Sequence, residues 1–410
     1  MASEQLNELT TLIKSIKLLP VNLSPLSYRY GHLYDYVKTL REQYPNVIVN
    51  PRYDRLHSKE GEDPSADVKQ DSNTLITNPR VIISRNKLVK LTPSNAIFNG
   101  IIIDAAEGRI LAIHPKAMLL LHNDLSPISK NKYRMYKAYD GSLVTVYYWN
   151  DKWCIASAKS IDFSDSCMFG TTKVETILKE LLVKGGLTFG DLDKDHCYSF
   201  VFTHPEWHPR VDTSELYYIN AYNTKTCMQL DSMPDNLNGK IKTQEVVNEM
   251  DNLDTVLTKL GEISKSSFTA GYIFRATNND IDYYIESAAM NILRKCIYAP
   301  SKNLRTFNQI ALKNFLIGIN NNALTTLCPQ FKDSFMVFDT RVDILITRII
   351  TKLYYPRGRY RSSRLETTAN YFLNRVSQLV HPNNTNARSI IYDTIVNHQY
   401  YDIFESLLLQ

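Results

Sequence analysis

The stretch Lys137-Ala138-Tyr139-Asp140-Gly141-Ser142-Leu143-Val144 marks the point where the sequence pattern decides the expected fold. Asp140, Gly141 and Ser142 are residue types that form tight turns. The run that follows, from Leu143 to Trp149, is rich in β-branched and aromatic residues, which are typical of strands. The stretch therefore predicts a turn that leads into a β-strand.

Short strand-like runs bounded by turn residues recur between about residues 80 and 295. They are Val81–Ile83, Ile101–Ile103, Leu143–Trp149, Tyr198–Phe202 and Tyr217–Ile219. Apolar residues at three- and four-residue spacing predict helices over Val174–Val183 and Val246–Leu260. After Cys296 the same spacing predicts helices over Leu304–Ile319, Val342–Leu353 and Glu366–Val380. We expect an α+β protein with an antiparallel-sheet core and an all-helical C-terminal domain.

The composition divides the chain into three parts. Residues 1–74 form an N-terminal helical and tyrosine-rich segment that ends in the acidic loop 58–73, which is polar enough to be exposed. Residues 75–295 hold the sheet-forming pattern, and residues 296–410 form the helical domain. The first helix is predicted from an apolar face made of Leu6, Leu9, Leu12, Ile13 and Ile16.

Positive charge is concentrated in the last part of the chain. The whole chain has a net charge of +5, and residues 296–410 hold 13 lysines and arginines against 7 aspartates and glutamates. This part is therefore expected to bind a polyanion. Its most basic stretch, Tyr354–Arg364, combines arginines that contact phosphates with a tyrosine that stacks on unpaired bases. The predicted nucleic-acid contacts are Arg357, Arg359, Tyr360, Arg361 and Arg364; the alternative is a solvated loop between helices.

The composition also excludes several classes of protein. No apolar run is long enough to span a membrane, and the N-terminus lacks the pattern of a secretory signal. The six cysteines are scattered without a C-x-x-C pair, which favours reduced thiols in a core over a disulfide framework or a zinc site. A cytoplasmic protein is expected, with the nucleus or a virion left open.

One short cluster has the spacing of a metal site. On a strand, His204, Glu206 and His208 would lie on one face, where the three side chains could bind one metal ion. Prolines at 205 and 209 interrupt that strand, and no fourth ligand is identifiable. The cluster is predicted to be a structured polar loop, and no metal site is expected.

Seven segments together resemble the bacteriophage RNA ligases of the T-even type, a branch of the covalent nucleotidyltransferases. The most specific segment is Ala138–Val144, which resembles the nucleotide-attachment motif K-E-D-G-S-L-V of that family. The others are Asn99–Asp104, Ala112–Pro115, Ser157–Ile161, Phe200–Phe202, Ala270–Ile273 and Tyr284–Ser287. The resemblance implies an antiparallel nucleotidyltransferase core of the ATP-grasp-like ligase type, followed by a helical tail. The alternative is that the D-G-S match reflects only a turn between two strands.

The side chains depart from that family at each kind of functional position. The family's lysine nucleophile is replaced by Ala138 when the motif is aligned on Asp140 and Gly141. Lysine or arginine positions of the family hold Asn99, Met118, Tyr284 and Glu286, and its two glutamate positions hold Val201 and Ala270. The lysines Lys137 and Lys159 lie one residue away from their expected places. Compensating β-bulges would allow both to serve.

Three hypotheses follow. In the first, the chain is a catalytically degenerate RNA-ligase-like protein that binds RNA, single-stranded nucleic acid or a protein partner, and no cofactor is expected. In the second, it is an active ligase that requires ATP and Mg. Lys137 is then the nucleophile and Asp140 orients it, while Gly141, Ser142 and Lys159 bind the nucleotide. In the third, it is a structural protein of a larger assembly. High Asn, Ile and Tyr usage suggests an AT-rich genome and thus a viral source for that assembly.

Overall fold

The structure is a computed structural model. It describes residues 2–16, 28–55, 75–122, 125–128, 132–167, 171–208, 210–247, 253–261, 270–278, 280–296 and 325–329, with scattered positions from 332 to 347. Strands dominate this part of the chain.

Five α-helices and one short 3-10 helix are described. The helices are α1 (Ala2–Ser15), α2 (Tyr30–Gln43), α3 (Val174–Lys184), α4 (Leu253–Gly261) and α5 (Ala288–Cys296), and the 3-10 helix is Phe189–Asp191. The amphipathic spacing of the first helix is confirmed, because Leu6, Leu9 and Ile13 are all buried. The helix predicted over Val174–Val183 is confirmed as α3.

Fourteen strands are described. They are β1 (Tyr28–Arg29), β2 (Val47–Arg55), β3 (Leu75–Arg85), β4 (Asn99–Asp104), β5 (Arg109–Ala112), β6 (Met118–Leu121), β7 (Tyr133–Ala138), β8 (Ser142–Trp149), β9 (Lys152–Ala156), β10 (His196–Thr203), β11 (Glu215–Asn223), β12 (Lys242–Thr243), β13 (Gly271–Ala276) and β14 (Asp282–Glu286). All five strand-like runs predicted from the sequence lie within these strands.

The strands form three sheets. Sheet A contains β1 to β5, in the order β1-β3-β4-β5 with β2 also paired to β3. Sheet B has the order β6-β14-β13-β7, and sheet C has the order β12-β11-β10-β8-β9. Nearly all pairs are antiparallel; β6 with β14 and β11 with β12 are the parallel ones described. The predicted antiparallel-sheet core is thus confirmed.

Each sheet buries one or both faces in an apolar core. The helices α1 and α2 pack with sheet A and with one end of sheet C, where Tyr147 is fully buried. Arg80 of β3 donates to the Tyr147 hydroxyl at 2.9 Å and lies 4.0 Å from the centre of the Trp149 ring. The buried guanidinium therefore has a hydrogen-bond acceptor and an aromatic face as partners, which offsets the cost of its burial.

Two further cores cover the other sheets. Helix α3 packs on the opposite face of sheet C, against Val144, Phe200 and Phe202 among others. Helix α4 packs on one face of sheet B through Val256 and Leu260. A helix thus packs on one face of each sheet. The alternate side chains of β7, β10 and β13 lie on the opposite faces.

The chain divides into two compact units. One contains residues 1–261 with 269–287, and the other contains residues 262–268 with 288–410. The three-part division from composition stays a prediction, although α1 and α2 share a core with β3, β4 and β8. The all-helical C-terminal domain is not supported: the three helices predicted after Cys296 lie largely or wholly outside the described residues. Helical backbone is described at Thr325–Leu327 and at single positions up to Thr347.

The predicted helix Val246–Leu260 begins too early. Val246 bridges to Tyr136, and Val247 donates its backbone N–H to Met135 O at 2.9 Å, so this segment lies along the edge of β7. Helix α4 begins at Leu253. Backbone pairing with an open strand edge therefore outweighed the helical spacing of the apolar residues. Among the described helices, none has both the length and the apolar character needed to cross a membrane.

Candidate functional site

The Tyr139–Gly141 turn connects sheet B to sheet C. It follows the last residue of β7 and precedes the first residue of β8. A side chain at Gly141 would place its Cβ 2.6 Å from Val201 Cγ1 and 2.8 Å from Phe202 O, so only glycine allows this close approach. Asp140 is buried beside it. Tyr139 stacks on Tyr217 of β11, with ring centroids 3.8 Å apart. The turn predicted from D-G-S is confirmed, and it fixes the relative position of the two sheets.

The two faces of sheet B differ in character. Tyr133, Met135, Tyr272 and Phe274 lie on the face that packs against α4. The opposite face, here called the open face, carries the alternate residues of each strand. Its members include Arg134, Tyr136, Ala138, Ile273, Arg275, Asp282, Tyr284 and Glu286; Ala138 is buried, Arg134 is exposed and the others are half-buried. Most of these side chains are partly exposed, so they are candidates to contact a ligand.

Register places Ala138 and Lys137 on opposite faces. Ala138 pairs with Gly271 and therefore lies on the open face, while Lys137 pairs with Tyr272 on the face of α4. The pairing of β7 with β13 runs from Tyr133 to Ala138 without a register shift. The bulge that would rotate Lys137 onto the open face is not part of this ladder.

Lys137 interacts with the segment beside β7. Its Nζ lies 3.5 Å from Glu245 Oε2, with 36% of the lysine and 60% of the glutamate side chain exposed. Its backbone N–H donates to Glu245 O at 3.0 Å, and its carbonyl accepts from Gln244 Nε2 at 3.0 Å. An ion pair this exposed contributes at most about 1 kcal/mol. The contacts of Lys137 thus attach the 244–247 segment to sheet B.

Sheet C presents a valine where the resembled family has a glutamate. Phe200 and Phe202 point into the core with α3, so Val201 between them lies on the other face. It pairs with Leu143 of β8 and Tyr217 of β11. All three are half-buried, and they form an uncharged patch next to the Tyr139–Gly141 turn.

The remaining open-face residues near Ala138 carry one negative charge. Tyr284 and Glu286 of β14 pair with Ile273 and Gly271 respectively. Ala270, which precedes β13, is buried, and its carbonyl accepts from Ser287 N at 2.9 Å. Glu286 is therefore the charged residue of the open face that lies nearest to Ala138 by strand pairing, through Gly271.

Two cations, Arg134 and Arg275, lie at the far end of the open face and pair with each other across β7 and β13. Arg275 is four residues from Gly271, roughly 13 Å along the strand. Its guanidinium donates to Gln244 Oε1 at 2.7 Å and lies 4.9 Å from the centre of the Tyr136 ring. Burial lowers the pKa of Arg275, while the nearby Asp282 acts in the opposite direction. Arg275 is thus engaged by neighbouring side chains and positioned away from Ala138.

Asn99 and Met118 occupy two further positions at which the resembled family has a lysine or an arginine. Asn99 at the start of β4 donates from Nδ2 to Pro115 O at 2.7 Å and so connects β4 to the segment before β6. Met118 begins β6, is 40% exposed and pairs with Asp282. Neither side chain is charged, so neither attracts a phosphate electrostatically.

Lys159 lies at the tip of a tight turn after β9. Ser157 and Ser160 exchange backbone hydrogen bonds, and Ser157 Oγ accepts from the backbone N–H groups of Lys159 and Ser160. The turn leaves the Lys159 side chain exposed. The described contacts do not bring Lys159 together with Lys137, so the two lysines named from the sequence are separate features.

Ser142 is hydrogen-bonded to a buried histidine. His208 Nδ1 accepts from the backbone N–H of His204 at 3.1 Å, and His208 Nε2 lies 3.0 Å from Ser142 Oγ. Burial lowers the pKa of His208 to about 3, so the ring is neutral near pH 7 and carries its proton on Nε2. Nε2 therefore donates to Ser142 and cannot act as its general base. The pair attaches the 204–208 loop to the start of β8.

A second buried histidine crosses from sheet A to sheet C. His114 Nδ1 lies 2.6 Å from Thr145 Oγ1, which lies 3.2 Å from Ser199 Oγ. Burial lowers the pKa of His114 to about 4. The family segment Ala112–Pro115 thus has its histidine in a neutral polar network within the core, where it cannot contribute a positive charge near pH 7.

The 204–208 loop has the structure of a polar loop. The backbone N–H of Glu206 donates to His204 Nδ1 at 3.2 Å, and Glu206 Oε2 accepts from Thr172 N at 3.4 Å. Over the part of the chain that the structure describes, no three His, Cys, Asp or Glu side chains come close enough to share a metal ion. Cys154, Cys197, Cys227 and Cys328 are buried, Cys167 is exposed, and these five are free thiols.

The side chains around Ala138 do not fit a nucleoside triphosphate with its metal ion. A triphosphate needs several cations close to its oxygens, and Mg²⁺ needs carboxylate ligands together with those oxygens. Within the described part of the open face, the residues paired around Ala138 are Gly271, Ile273, Tyr284 and Glu286. The predicted nucleic-acid contacts Arg357, Arg359, Tyr360, Arg361 and Arg364 lie outside the described residues.

Comparison with known proteins gives sequence relatives. No protein-family model matches the chain. African swine fever virus proteins named "Putative RNA-ligase", from isolate Pretoriuskop Pr4 and strain Badajoz, are each 25% identical over 321 residues, which covers 67% of this chain and 72% of the viral protein. The protein of isolate KEN-50 is 24% identical over the same span. The chain is therefore RNA-ligase-like in sequence over two thirds of its length.

Solved structures of an RNA ligase from Naegleria gruberi overlap part of the chain. A lysine-to-alanine variant with ATP and Mn has a TM-score of 0.31 at 15% identity, covering 42% of this chain and 56% of that one. The same ligase with PPi has a TM-score of 0.31 at 15% identity, with coverage of 44% and 56%. The overlap is partial.

Some site residues carry no clear sequence signal. The bond between His208 and Ser142 joins residues 66 positions apart, and only the fold brings them together. Gly271 packs so tightly that a Cβ would lie 2.0 Å from Ile285 O. Its place directly before a strand-like run was the signal that could have identified it.

Proposed function

We propose that this chain is an RNA-ligase-like protein without covalent nucleotide chemistry, which acts as a nucleic-acid-binding or scaffold component. The observation that carries the proposal is the position of Ala138. It lies on the open face beside the Asp140-Gly141 turn, where the resembled family has its nucleophile, while Lys137 lies on the face of α4.

The chemistry of the open face supports the proposal. Attack on the α-phosphate of ATP needs a nucleophilic nitrogen, and the methyl group of Ala138 has no lone pair. Val201 offers no carboxylate for a ribose or a metal. Glu286 would repel a triphosphate, and a lysine at that position would have contributed about 1.5–3 kcal/mol through a charge-assisted contact.

The nucleic-acid role is supported by similarity and by charge. The sequence relatives are viral proteins named as RNA ligases, and a protein of that descent can keep its RNA contacts after its chemistry is lost. Residues 296–410 hold the basic excess of the chain, 13 cationic against 7 anionic side chains. Arg357, Arg359 and Arg361 are the proposed phosphate contacts within it.

Binding to single-stranded RNA over a salt series tests this role. Fluorescence anisotropy of a labelled oligonucleotide is measured between low and physiological salt. Each phosphate contact with a single strand contributes about 0.7 to the slope of log affinity against log salt. Replacing Arg357, Arg359 and Arg361 by glutamine is expected to lower the slope by about 2.

A matched control removes three positive charges from a different part of the chain. Lys179, Lys184 and Lys225 are exposed lysines of the first unit, and their triple glutamine variant is expected to keep the wild-type slope. If the wild type binds without salt dependence, the nucleic-acid role is wrong, and the scaffold role remains. Equal losses in both triple variants would show attraction by net charge alone.

The second candidate is an active ligase that uses Lys137. It is favoured by the partial exposure of Lys137 next to the motif turn. For this function the lysine would have to leave Glu245 and reach around the edge of β7 to the open face. Covalent labelling by ATP separates the two candidates, because one requires a protein–AMP bond and the other forbids it.

A further inference from the structure

The two turns near the end of β3 bring together three cations, of which only Lys159 belongs to a segment of the ligase-like pattern. One turn, Asn86–Val89, follows β3, and the other, Ser157–Ser160, follows β9. Ala158, which precedes Lys159, accepts a hydrogen bond from Ser84 at the end of β3. The charges of Lys159 and Arg85 both lower the pKa of Lys87. Arg85, Lys87 and Lys159 are called the cationic fork below.

Both turns are built rigidly. In the first, Val89 N donates to Asn86 O at 3.1 Å and Leu88 N donates to Asn86 Oδ1 at 3.0 Å. Arg85 is held to the same turn, because its guanidinium donates to Val89 O at 2.8 Å. These bonds are made by the protein itself, so the positive charges of Arg85 and Lys87 are kept together without a ligand.

The second turn is fixed against sheet A. Ser84 Oγ donates to Ala158 O at 2.9 Å. A Cβ at Gly100 would lie 2.8 Å from Ala158 Cα, so the absence of a side chain there lets the turn approach β4 closely. Lys159 at its tip is thereby held next to Lys87, although the two lie in separate parts of the sequence.

Two ammonium groups that are held near each other repel in the free protein. The proximity of Lys159 is the main reason why the pKa of Lys87 is lowered, and Arg85 acts in the same direction. Among the described residues no carboxylate forms an ion pair with Lys87 or Lys159, and the nearby Asp162 lies 3.9 Å from Arg52 instead. A bound anion would remove the repulsion.

We propose that the cationic fork binds a phosphodiester group of single-stranded RNA, with Lys87 and Lys159 on either side of one phosphate. The inference rests on the proposed nucleic-acid role and adds a contact surface in the first unit to the contacts proposed for residues 357–364. Leu88, which is 95% exposed in the Asn86–Val89 turn, contacts the adjacent base. A single exposed leucine provides too little apolar surface to favour a membrane over RNA.

Two glutamine variants test the cationic fork. For each variant the affinity for RNA and the melting temperature are measured. Lys87→Gln and Lys159→Gln are each expected to weaken binding of a fluorescent single-stranded RNA about tenfold at low salt. Each is also expected to lower the salt slope by about 0.7. Because each variant removes the repulsion, the melting temperature is expected to stay the same or rise. A structural role for either lysine would lower it.

Lys152→Gln is the matched control, since Lys152 is an exposed lysine at the end of β9 opposite the Ser157–Ser160 turn. It is expected to bind as the wild type does. If the wild type binds RNA with a steep salt dependence and both fork variants match Lys152→Gln, the fork inference is wrong and the proposed function stands.

The other outcomes are equally decisive. If the wild type shows no salt-dependent RNA binding at all, the proposed nucleic-acid role and the fork fail together. If the fork variants instead lose binding to vesicles that contain phosphatidylserine while RNA binding is unchanged, the surface recognises lipid headgroups and the RNA assignment is overturned. The Arg357, Arg359 and Arg361 variant, measured in parallel, shows which of the two surfaces supplies the salt dependence.

Discussion

Replacing His208 by glutamine is expected to reduce the loss of folding stability that the protein shows between pH 7.5 and pH 5. The pKa of His208 is lowered by burial to about 3 in the folded protein, and a histidine in the unfolded chain has a pKa of about 6.5. As the pH falls below 6.5 the unfolded chain binds a proton and the folded chain does not. The native state is therefore destabilised progressively between pH 6.5 and about 3.

The magnitude follows from the two pKa values. At pH 5 the unfolded histidine lies 1.5 pH units below its pKa of about 6.5, which corresponds to about 2 kcal/mol. His114, with a pKa of about 4, contributes roughly the same amount at that pH. Together they lower the free energy of unfolding by about 4 kcal/mol between pH 7.5 and pH 5. Carboxylates that titrate in this range add their own effects.

Urea denaturation followed by circular dichroism at pH 7.5 and pH 5 measures the effect. The Gln side chain at 208 can still donate to Ser142 Oγ but does not titrate. The variant is expected to lose about 2 kcal/mol less than the wild type between the two pH values. Carboxylate effects cancel in this difference. Equal pH dependence of the two proteins would refute a buried neutral histidine at 208.

Two further substitutions test the turn between sheets B and C. Gly141→Ala is expected to lower the free energy of unfolding by about 1–3 kcal/mol, because its Cβ would collide with Val201 and Phe202; Gly261→Ala, with open space around its Cβ, is the control and is expected to leave the melting temperature within a degree or two. Tyr139→Phe is expected to cost about 1 kcal/mol in urea denaturation, because Glu245 N donates to the Tyr139 hydroxyl at 3.2 Å. A variant as stable as the wild type would show that this hydroxyl is not a significant partner.

The strands could be predicted because their sequence signals are local. Runs such as Ile101–Ile103 and Leu143–Trp149 combine β-branched or aromatic residues with flanking turn residues, and they form β4 and β8. The turn at Asp140-Gly141 follows from the same chemistry. The segment at Val246 was misjudged, because its backbone pairs with Tyr136 and that partner lies more than a hundred residues earlier in the chain.

The arrangement of the site depends on register, which the sequence does not specify by itself. A shift of one residue exchanges the two faces of a strand, so the relative positions of Lys137 and Ala138 became clear only from the pairing with Gly271 and Tyr272. The cationic fork is a second example. Lys87 and Lys159 lie on different turns, and only the contact of Ala158 with β3 and β4 brings them together.

Covalent transfer of AMP to the protein tests the central claim most directly. Wild type, Lys137→Ala and Lys159→Ala are incubated with α-labelled ATP and Mg²⁺, denatured, and examined for label on the chain, with intact-protein mass spectrometry as a second readout. We expect no label on any of the three and no increase in mass by one AMP. Label on the wild type that disappears in Lys137→Ala alone would show that Lys137 reaches the nucleotide, and would contradict the assignment of Ala138 as a lost nucleophile.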